Sequence, residues 1–304
     1  MRSRLLRWPA VFFFALAVGC GTMAREGASV PLPGQVWDMH ARRFVGADIV
    51  RSAARGADVV LLGETHDNLE HHRLQRELLT EILATGRRPA LVMEQFDREF
   101  QAPLDATRSS PQRNPDTVLD AGHFNRRSWQ VDGYRPLIAL ALDFDLPIVA
   151  ANLSRNEARE IVRDPARATL PPVDKRVEQA LAADIDRSHC GEKTPPAILA
   201  GMVAAQRARD LAMAQALMRH ERRGAVLVAG VGHVRADRGV PLYLKKRPLV
   251  IAFIELDEDK KNPDDYLDGE FATRSSFDYL WFTSRADRPD PCATAPVLPQ
   301  APKQ

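Results

Sequence analysis

Apolar and polar positions change their spacing repeatedly along this chain from Asp58 onward. Short apolar runs alternate with longer segments in which apolar residues recur at helical intervals. This alternation predicts a layered α/β fold with a largely parallel sheet flanked by helices. The predicted strands cover residues 59–62, 90–93, 147–150, 225–229 and 249–254.

Five segments show the helical spacing of apolar residues. Over 68–85, leucines and one isoleucine recur at this spacing, and Gly86 offers a C-terminal stop. The longest segment carries methionines among alanines, a pattern that favours core packing over a methionine-lined ligand site. The other predicted helices cover 135–143, 155–162, 174–186 and 196–221.

The N-terminus has the features of an export signal. Three arginines precede an apolar run over 10–18, which is shorter than the roughly 20 residues needed to span a bilayer. Its ending, Ala17-Val18-Gly19-Cys20, resembles the lipobox of bacterial lipoproteins. We therefore expect a signal peptide at 1–19 and lipidation at Cys20; the alternative is an ordinary signal peptide followed by an incidental cysteine.

The rest of the chain divides into three parts. Residues 20–35 lack apolar periodicity and are predicted to form a tether. The folded domain is expected over 36–285, and residues 286–304 form a C-terminal tail. With 45% hydrophobic and 27% charged residues in 304, the chain has the composition of a globular protein and not of a disordered one.

Charge argues against a nucleic-acid partner. The formal net charge of the whole chain is +2, but the predicted signal peptide contains three of the arginines and no acidic residue. The mature chain therefore has a formal charge of −1, and the basic excess that nucleic-acid binding needs is absent.

Two cysteines remain if Cys20 is lipidated. An exported protein folds in an oxidising compartment, where two leftover thiols can pair. The sequence therefore predicts a disulfide between Cys190 and Cys292.

Polar side chains follow four of the predicted strands at their C-terminal ends. In an open α/β sheet, ligands gather outside the carboxyl ends of the strands, so these residues are expected to share one site. The alternative is a purely structural polar network, and Asn152, after the third strand, suits a turn equally well. The candidate site residues are Glu64, His66, Glu94 and His233, with Thr65 expected to cap the following helix.

Two imidazoles and two carboxylates can hold a divalent metal ion and activate a water molecule. Arg235 follows within reach of an anion. No H-E-x-x-H spacing is present, and the adjacent His71 and His72 are expected on the helix surface. The chain also lacks a G-x-S-x-G nucleophile elbow and a phosphate-binding loop.

A series of motifs in fixed order resembles the ChaN-like haem-binding lipoproteins of the wider Tiki and erythromycin-esterase-like superfamily. The resemblance covers about residues 36–285, nearly the whole predicted domain. The motifs are GETH at 63–66, VMEQF at 92–96, WQVDGYRPL at 129–137, AAN at 150–152, AQRARDLAMA at 205–214, GVGHVRADRGVP at 230–241 and DYLWFT at 278–283.

The resemblance implies a lipid-anchored protein of the bacterial outer membrane that faces the periplasm and takes part in haem and iron uptake. It implies haem held between two subunits of a homodimer, with an outer-membrane haem receptor as a candidate partner. The wider superfamily implies instead a metal-dependent or general-base hydrolytic site, whose residues here are Glu64, His66, Glu94 and His233. A divalent metal would then replace haem as the cofactor.

Haem requires an axial ligand, an apolar face and polar or cationic groups for its propionates. The resemblance implies tyrosine ligation, and Tyr243 is the preferred candidate because it lies just beyond the His233 loop beside three cationic residues. His66, His233 and Arg235 are further candidates for contact with haem. The other tyrosines are expected to pack (Tyr134, Tyr279) or to lie on the surface (Tyr266).

A third interpretation is that the protein retains the site but catalyses no reaction, and acts as an interaction module. The apolar residues Leu280, Trp281 and Phe282 would then form a dimer face, although a buried edge strand explains them equally well.

Overall fold

The computed structural model describes residues 30–190, 193–267, 275–289 and 292. The predicted signal peptide, the lipidation site Cys20, most of the tether and most of the tail lie outside the described residues. Within the described part, no helix combines the length and the apolar character needed to cross a membrane.

One eight-stranded sheet forms the centre of the molecule, with the order β2-β1-β8-β7-β3-β6-β4-β5. All five predicted strands are present, and the fold prediction of a largely parallel sheet flanked by helices is confirmed. The strands are β1 Val36–Asp38, β2 Arg43–Val45, β3 Val59–Glu64, β4 Ala90–Asp97, β5 Ile148–Asn152, β6 Ala225–Gly230, β7 Leu249–Glu255 and β8 Tyr279–Thr283.

Strands β3 to β8 pair in parallel, whereas β1 and β2 are antiparallel to their neighbours. Strand β3 lies between β6 and β7, so that Glu64 is opposite Gly230 in register. Parallel pairing places the C-terminal ends of β3, β4, β5 and β6 at one edge. This edge is therefore the place where the polar residues after the strands can meet.

The C-terminal apolar segment is an internal strand. Leu280, Trp281 and Phe282 belong to β8, which lies between β1 and β7, and all three side chains are buried. The expectation of a dimer face was wrong, and the alternative of a buried edge strand was right about the buried strand but wrong about the edge. The two short strands β1 and β2 cover the side of β8 that would otherwise be an edge.

Helices cover both faces of the sheet. Both limits of four predicted helices agree with the structure to within four residues. The longest predicted helix ends two residues before its predicted limit. The helices are α1 Ala47–Gly56, α2 Leu69–Ala84, α3 Gln101–Thr107, α4 Pro115–Ala121, α5 Val131–Asp143, α6 Arg155–Arg163, α7 Lys175–Ser188, α8 Pro196–Arg219 and α9 Val231–Val234.

Alternate residues of the strands supply two separate cores. Leu62 of β3 packs with Leu78 of α2 on one face, and its neighbour Leu61 packs with Met213 of α8 on the other. Each fully buried leucine contributes roughly 1.5–3 kcal/mol to the free energy of folding. The full burial of Met213 confirms the core role predicted for a methionine of α8.

A disulfide joins Cys190, just after α7, to Cys292 in the C-terminal segment. The two Cα atoms are 5.5 Å apart, and 102 residues separate them in sequence. The structure thus contains the bond that the sequence predicts. Together with the ion pair between Arg288 and Asp67, it ties the end of the chain to the body of the domain.

Candidate functional site

The four predicted site residues converge at the C-terminal edge of the sheet. Glu64 ends β3 and Glu94 lies in β4, while His66 follows β3 and His233 lies in α9 directly after β6. His66 Nδ1 is 2.9 Å from Glu64 Oε1, and His233 Nε2 is 3.4 Å from Glu94 Oε1. The four residues predicted from the strand ends therefore lie together in the structure, where they form two histidine–carboxylate pairs.

Glu64 is the buried centre of the first pair. Its carboxylate accepts hydrogen bonds from Tyr134 Oη, from Gln75 Nε2 at 2.6 Å and from Gln95 Nε2 at 3.1 Å. Burial alone would raise the pKa of Glu64, but the hydrogen bonds from His66 and His72 outweigh burial and hold this pKa well below its ordinary value. Glu64 is therefore an anion throughout the physiological pH range.

His71 and His72 are buried, so the expectation that they lie on the helix surface was wrong. The first turn of α2 packs against both the sheet edge and helix α5. The side chains at both adjacent positions are therefore buried. His72 Nε2 is 3.0 Å from the carbonyl of His66, and its Nδ1 is 3.3 Å from Glu64 Oε2. His72 therefore supports Glu64 from behind.

Thr65 does not cap α2, contrary to expectation. Asn68 is the N-cap residue, and its side chain accepts hydrogen bonds from the backbone N–H groups of Glu70 and His71. The Thr65 N–H donates instead to His71 Nδ1 over 2.9 Å. Helix α2 begins three residues later than it would if Thr65 were its N-cap. The longer turn after β3 places His66 on the open side of the sheet edge.

His66 is the accessible member of the cluster, with 39% of its side chain exposed. Its Nδ1 bonds Glu64, and its ring packs edge-on against Trp129 with centroids 4.5 Å apart. Burial tends to lower the pKa of His66, but the Glu64 hydrogen bond and the nearby Glu94 charge raise it overall. Among the described residues, none supplies a hydrogen bond to Nε2, which leaves that nitrogen for a ligand or a water molecule.

His233 lies in the buried second pair. Its Nδ1 is 2.6 Å from Asp210 Oδ1, and Glu94 lies on its other side. Burial opposes the charge, but these two carboxylates raise the pKa of His233 to about 10. Burial raises the pKa of Asp210 to about 6, which is still below that of His233, so the proton resides on the imidazole at neutral pH.

Glu94 links the two pairs through strand β6. Its Oε2 accepts the Gly230 N–H over 2.7 Å, and despite burial the His233 charge lowers the pKa of Glu94 to about 2. A Cβ atom at Gly230 would lie 2.9 Å from His66 Cε1 and Nε2. The absence of a side chain at this position is therefore what lets the His66 ring approach the strand end.

The sequence prediction missed four residues that complete the cluster. Tyr134 and Asp210 come from α5 and α8, far from the strand ends in sequence, and Gln75 lies two turns into α2. Tyr134 and Asp210 fall in motifs that the resemblance had singled out, which is the signal that could have found them. The missed residues are His72, Gln75, Tyr134 and Asp210.

The donor set does not fit the predicted divalent metal. Hydrogen bonds from Tyr134, Gln75 and Gln95 already occupy the Glu64 carboxylate, and His233 lies between two acids. The described part of the chain holds no group of three or more His, Cys, Asp or Glu side chains arranged around a metal position. The predicted metal site therefore has no support in the geometry.

Arg235 does not reach the cluster as an anion-binding group. It is buried and forms a bidentate pair with Asp237, at 3.0 and 2.9 Å, two residues along the chain. Its guanidinium also lies over the ring of Phe277, 5.2 Å from the centroid. The predicted contact with a ligand was wrong because the local acid neutralises this side chain.

The four tyrosines occupy different environments. Tyr134 is fully buried against Glu64, and Tyr266, expected on the surface, is buried with its hydroxyl on the backbone of Asp257. Tyr279 is half-buried in β8. Tyr243 is also half-buried, and its Oη lies 3.4 Å from Arg207 Nε.

Arg207 lines an open groove between α7 and α8 with a volume of about 570 Å³. This volume falls within the roughly 300–1,000 Å³ typical of small-molecule sites. The floor is apolar, with Leu199 and Val203 of α8 and Leu170, and Lys175 lies at the rim. The groove thus offers an apolar face with the Lys175 cation beside it, while Arg207 is paired with Glu178, which also lines the groove. Within the described part of the chain, Tyr243 contacts the groove only through Arg207.

Comparison with known proteins identifies a family whose model covers most of the domain. The model of a family described as "Haem-binding uptake, Tiki superfamily, ChaN" matches residues 50–244. The fold is similar to that of ChaN of Campylobacter jejuni, solved with cofacial haem, at a TM-score of 0.66 and 21% identity over 81% of this chain and 95% of that one. No curated protein matches the chain.

Two weaker structural similarities involve proteins of other kinds. A type III effector aligns with 86% of this chain and 100% of its own at a TM-score of 0.47 and 14% identity. An erythromycin esterase in its open conformation aligns with 80% of each chain at a TM-score of 0.42 and 14% identity.

Proposed function

Because the chain belongs to the ChaN family of haem-binding uptake proteins in the Tiki superfamily, we propose that it binds haem. The observation that carries this proposal is the extent of the family match, which runs from α1 to the residue after Tyr243 and includes all four strand ends of the site.

The groove between α7 and α8 supports haem binding on physical grounds. A porphyrin needs an apolar surface for its face and donors for its propionates, and the iron needs an axial ligand. Leu199 and Val203 supply the apolar surface, and Lys175 supplies a cation at the rim. Tyr243 is the proposed ligand, because its hydroxyl lies beside the groove-lining Arg207.

Tyrosine variants test this placement. We expect Tyr243→Phe to shift the Soret band of the haemin complex and to weaken haemin binding at least tenfold. Tyr279→Phe is the matched control, since Tyr279 is also half-buried but belongs to strand β8, between β1 and β7. Equal spectra and affinities for both variants and the wild type would exclude Tyr243 as the ligand.

We also propose that the mature protein is anchored through Cys20 to the outer membrane, faces the periplasm and forms a haem-linked homodimer that exchanges haem with an outer-membrane receptor. The lipobox-like ending of the leader and the family description of uptake support this proposal. Incorporation of labelled palmitate into the wild type and its absence in Cys20→Ala is the expected result.

A second candidate function is hydrolysis without a metal, at the pair formed by Glu64 and His66. The specific observation is that Glu64 fixes His66 Nδ1, whereas Nε2 of the same half-exposed ring has no described hydrogen-bond partner. A histidine held in this way can accept a proton from water at Nε2, in the manner of a general base.

Hydrolysis of a simple activated ester, p-nitrophenyl acetate, tests this second function. We expect a rate that increases with pH, because His66 must lose its proton to act and its pKa is raised. The rate should fall at least 100-fold in His66→Asn and should not respond to chelators. A rate equal to that of His66→Asn at every pH would exclude catalysis by this pair.

A further inference from the structure

The segment after strand β8 runs along the carboxyl edge of the sheet toward His66. It comprises residues 284–289 and Cys292, and we call it the C-terminal strap. One end of the strap continues β8, and the other is bonded through Cys292 to Cys190, just after α7. Between these ends the strap contacts the turn over residues 65–68, which carries His66 and is called the His66 turn below.

Arg288 connects the strap to the His66 turn and to the sheet. Its Nη1 donates to Asp67 Oδ1 over 2.6 Å, and its Nη2 donates to the Glu255 carboxylate at the end of β7. The Ala286 N–H donates to Glu255 Oε1 over 3.0 Å. One guanidinium therefore bridges the end of β7 and the residue that follows His66.

The start of the strap holds two further residues of the same turn. Asn68 Nδ2 donates to the Ser284 carbonyl over 3.0 Å. Thr283 Oγ1, at the end of β8, is 2.8 Å from His71 Nε2, and His71 Nδ1 accepts the Thr65 N–H. Three residues of the His66 turn thus depend on the C-terminal part of the chain for their position.

The disulfide fixes the other end of the strap to a rigid element. Asp184 of α7 accepts a hydrogen bond from Arg238 Nε over 2.6 Å, which pins the helix that precedes Cys190. Both cysteines of the bond are exposed, and Cys190 has a φ of 60°, which residues other than glycine rarely adopt. Exposed disulfides are the ones that reductants reach and break most readily.

The covalent bond matters because the contact that it supports is weak by itself. The side chains of Arg288 and Asp67 are 22% and 36% exposed. Ion pairs that are open to solvent contribute little on their own. A covalent tie four residues away, at Cys292, keeps Arg288 at a high effective concentration beside Asp67.

We propose that the strap is a redox-sensitive latch on the His66 turn. The Cys190–Cys292 bond holds Arg288 on Asp67 and so keeps His66 against Glu64, and reduction of the bond releases the turn. A dithiol reductant supplies the two electrons and two protons: the Sγ–Sγ bond breaks, two cysteine thiols form, and the dithiol closes to its own disulfide. Arg288 is a positioning residue, because it acts on His66 through Asp67.

The latch goes beyond haem binding and hydrolysis, because it acts on the geometry of His66 whichever function the site has. Its test therefore follows the histidine itself and not turnover. A failure of either proposed function would leave the result of this test unchanged.

The protonation of His66 reports its distance from Glu64. The hydrogen bond from Glu64 and the charge of Glu94 raise the pKa of His66 against the effects of burial and of His233. Loss of the contact with Glu64 should therefore lower this pKa, whereas removal of the Arg288 cation should raise it by direct electrostatics. The titratable groups around His66 come from five elements: Glu64, His72, Glu94, Tyr134 and His233.

NMR titration of ¹³C-labelled histidines in the protein lacking residues 1–20 tests the latch. The His66 signal is the one that is absent in His66→Asn. We expect its titration midpoint to move to lower pH by about 0.3 or more when dithiothreitol reduces the wild type. Thiols are neutral in this pH range, so the shift reports geometry and not a new charge. Cys190→Ser should have the lower midpoint with and without reductant.

Arg288 variants test the contact while the disulfide remains intact. Arg288→Lys keeps the charge but lacks the two-armed guanidinium, and Arg288→Gln removes the charge as well. Both should lower the midpoint, while Arg285→Gln, an exposed arginine of the same strap, should leave it unchanged. A raised midpoint in Arg288→Gln would overturn the latch, because Arg288 would then act only as a charge. Equal midpoints in oxidised wild type, reduced wild type and Cys190→Ser would also overturn it.

Discussion

At the residue scale, one buried carboxylate holds two imidazoles at the edge of the sheet. Glu64 bonds His66 on the open side and His72 on the closed side, and three uncharged donors saturate its remaining capacity. A buried charge of this kind is stable only while its partners remain, since breaking such a pair leaves an uncompensated charge.

Substitution of Glu64 tests this dependence. Glu64→Gln leaves the imidazoles of His66 and His72 without their anion, and we expect it to lower the free energy of unfolding by about 3–5 kcal/mol. Urea denaturation measures the change. Glu70→Gln, which removes an exposed carboxylate of the same helix region, should cost less than about 1 kcal/mol. Equal effects of the two variants would show that the buried charge of Glu64 contributes no more to stability than an exposed carboxylate does.

We expect His233 to make the free energy of unfolding decrease at alkaline pH. Its pKa in the folded protein, about 10, is above its ordinary value, so the folded state retains a proton that the unfolded state releases. The resulting stabilisation is complete below about pH 6.5 and is lost as the pH rises toward 10. We expect the free energy of unfolding to fall by roughly 2–4 kcal/mol between pH 7 and pH 10.

The control for this pH effect is His233→Gln. Its stability is expected to be lower than that of the wild type at pH 7 and to change less between pH 7 and pH 10. Parallel pH profiles for the two proteins would mean that other groups cause the alkaline loss.

The sequence predicted the four residues at or near the C-terminal ends of strands, because a strand end fixes where the nearby side chains lie. It failed for Arg235, since the carboxylate that neutralises this arginine is visible only when the turn to Asp237 is folded. It also failed for His72, whose burial depends on the packing of α5 against α2, and for Asp210, which reaches His233 from another helix.

At the element scale, the short helix α9 follows strand β6 without an intervening loop. The junction at Gly230 allows the His66 ring to lie against the strand end while the Gly230 N–H bonds Glu94. Strands as short as β1 and β2 lack enough residues for a detectable pattern, which is why the apolar spacing did not predict them.

Gly230→Ala should displace His66 from the site. The added Cβ would lie 2.9 Å from the ring, closer than van der Waals contact allows, so the contact of His66 with Trp129 should be lost. Trp129 fluorescence is expected to vary with His66 protonation in the wild type and not in the variant. Gly232→Ala is the matched control, because its added Cβ would meet no atom within 4 Å apart from its chain neighbours and the backbone of its own helix.

At the scale of the whole molecule, the Cys190–Cys292 bond ties together segments 102 residues apart. A chain-entropy model gives about 4–5 kcal/mol for a loop of this length. We expect Cys190→Ser to lower the free energy of unfolding by about 2–4 kcal/mol, as measured in urea without reductant. Wild-type protein in reductant should show the same loss, and an unchanged midpoint in both cases would exclude a stabilising role for the bond.

The molecule presents its chemistry at two places, and only one of them is built directly on the parallel sheet. The histidine–carboxylate cluster lies at the strand ends, whereas the apolar groove lies between α7 and α8. The fold and the cluster followed from apolar periodicity and strand ends. The groove did not, because it depends on how two helices pack outside the sheet.

The most direct test of haem binding is a spectroscopic haemin titration of the protein lacking residues 1–20, with the metal content measured on the same sample. We expect a saturable Soret change that ends near one haem per chain, in protein without stoichiometric divalent metal. A non-saturating spectrum, together with a bound divalent ion that is lost in His66→Ala, would contradict the haem assignment and support a metallohydrolase instead.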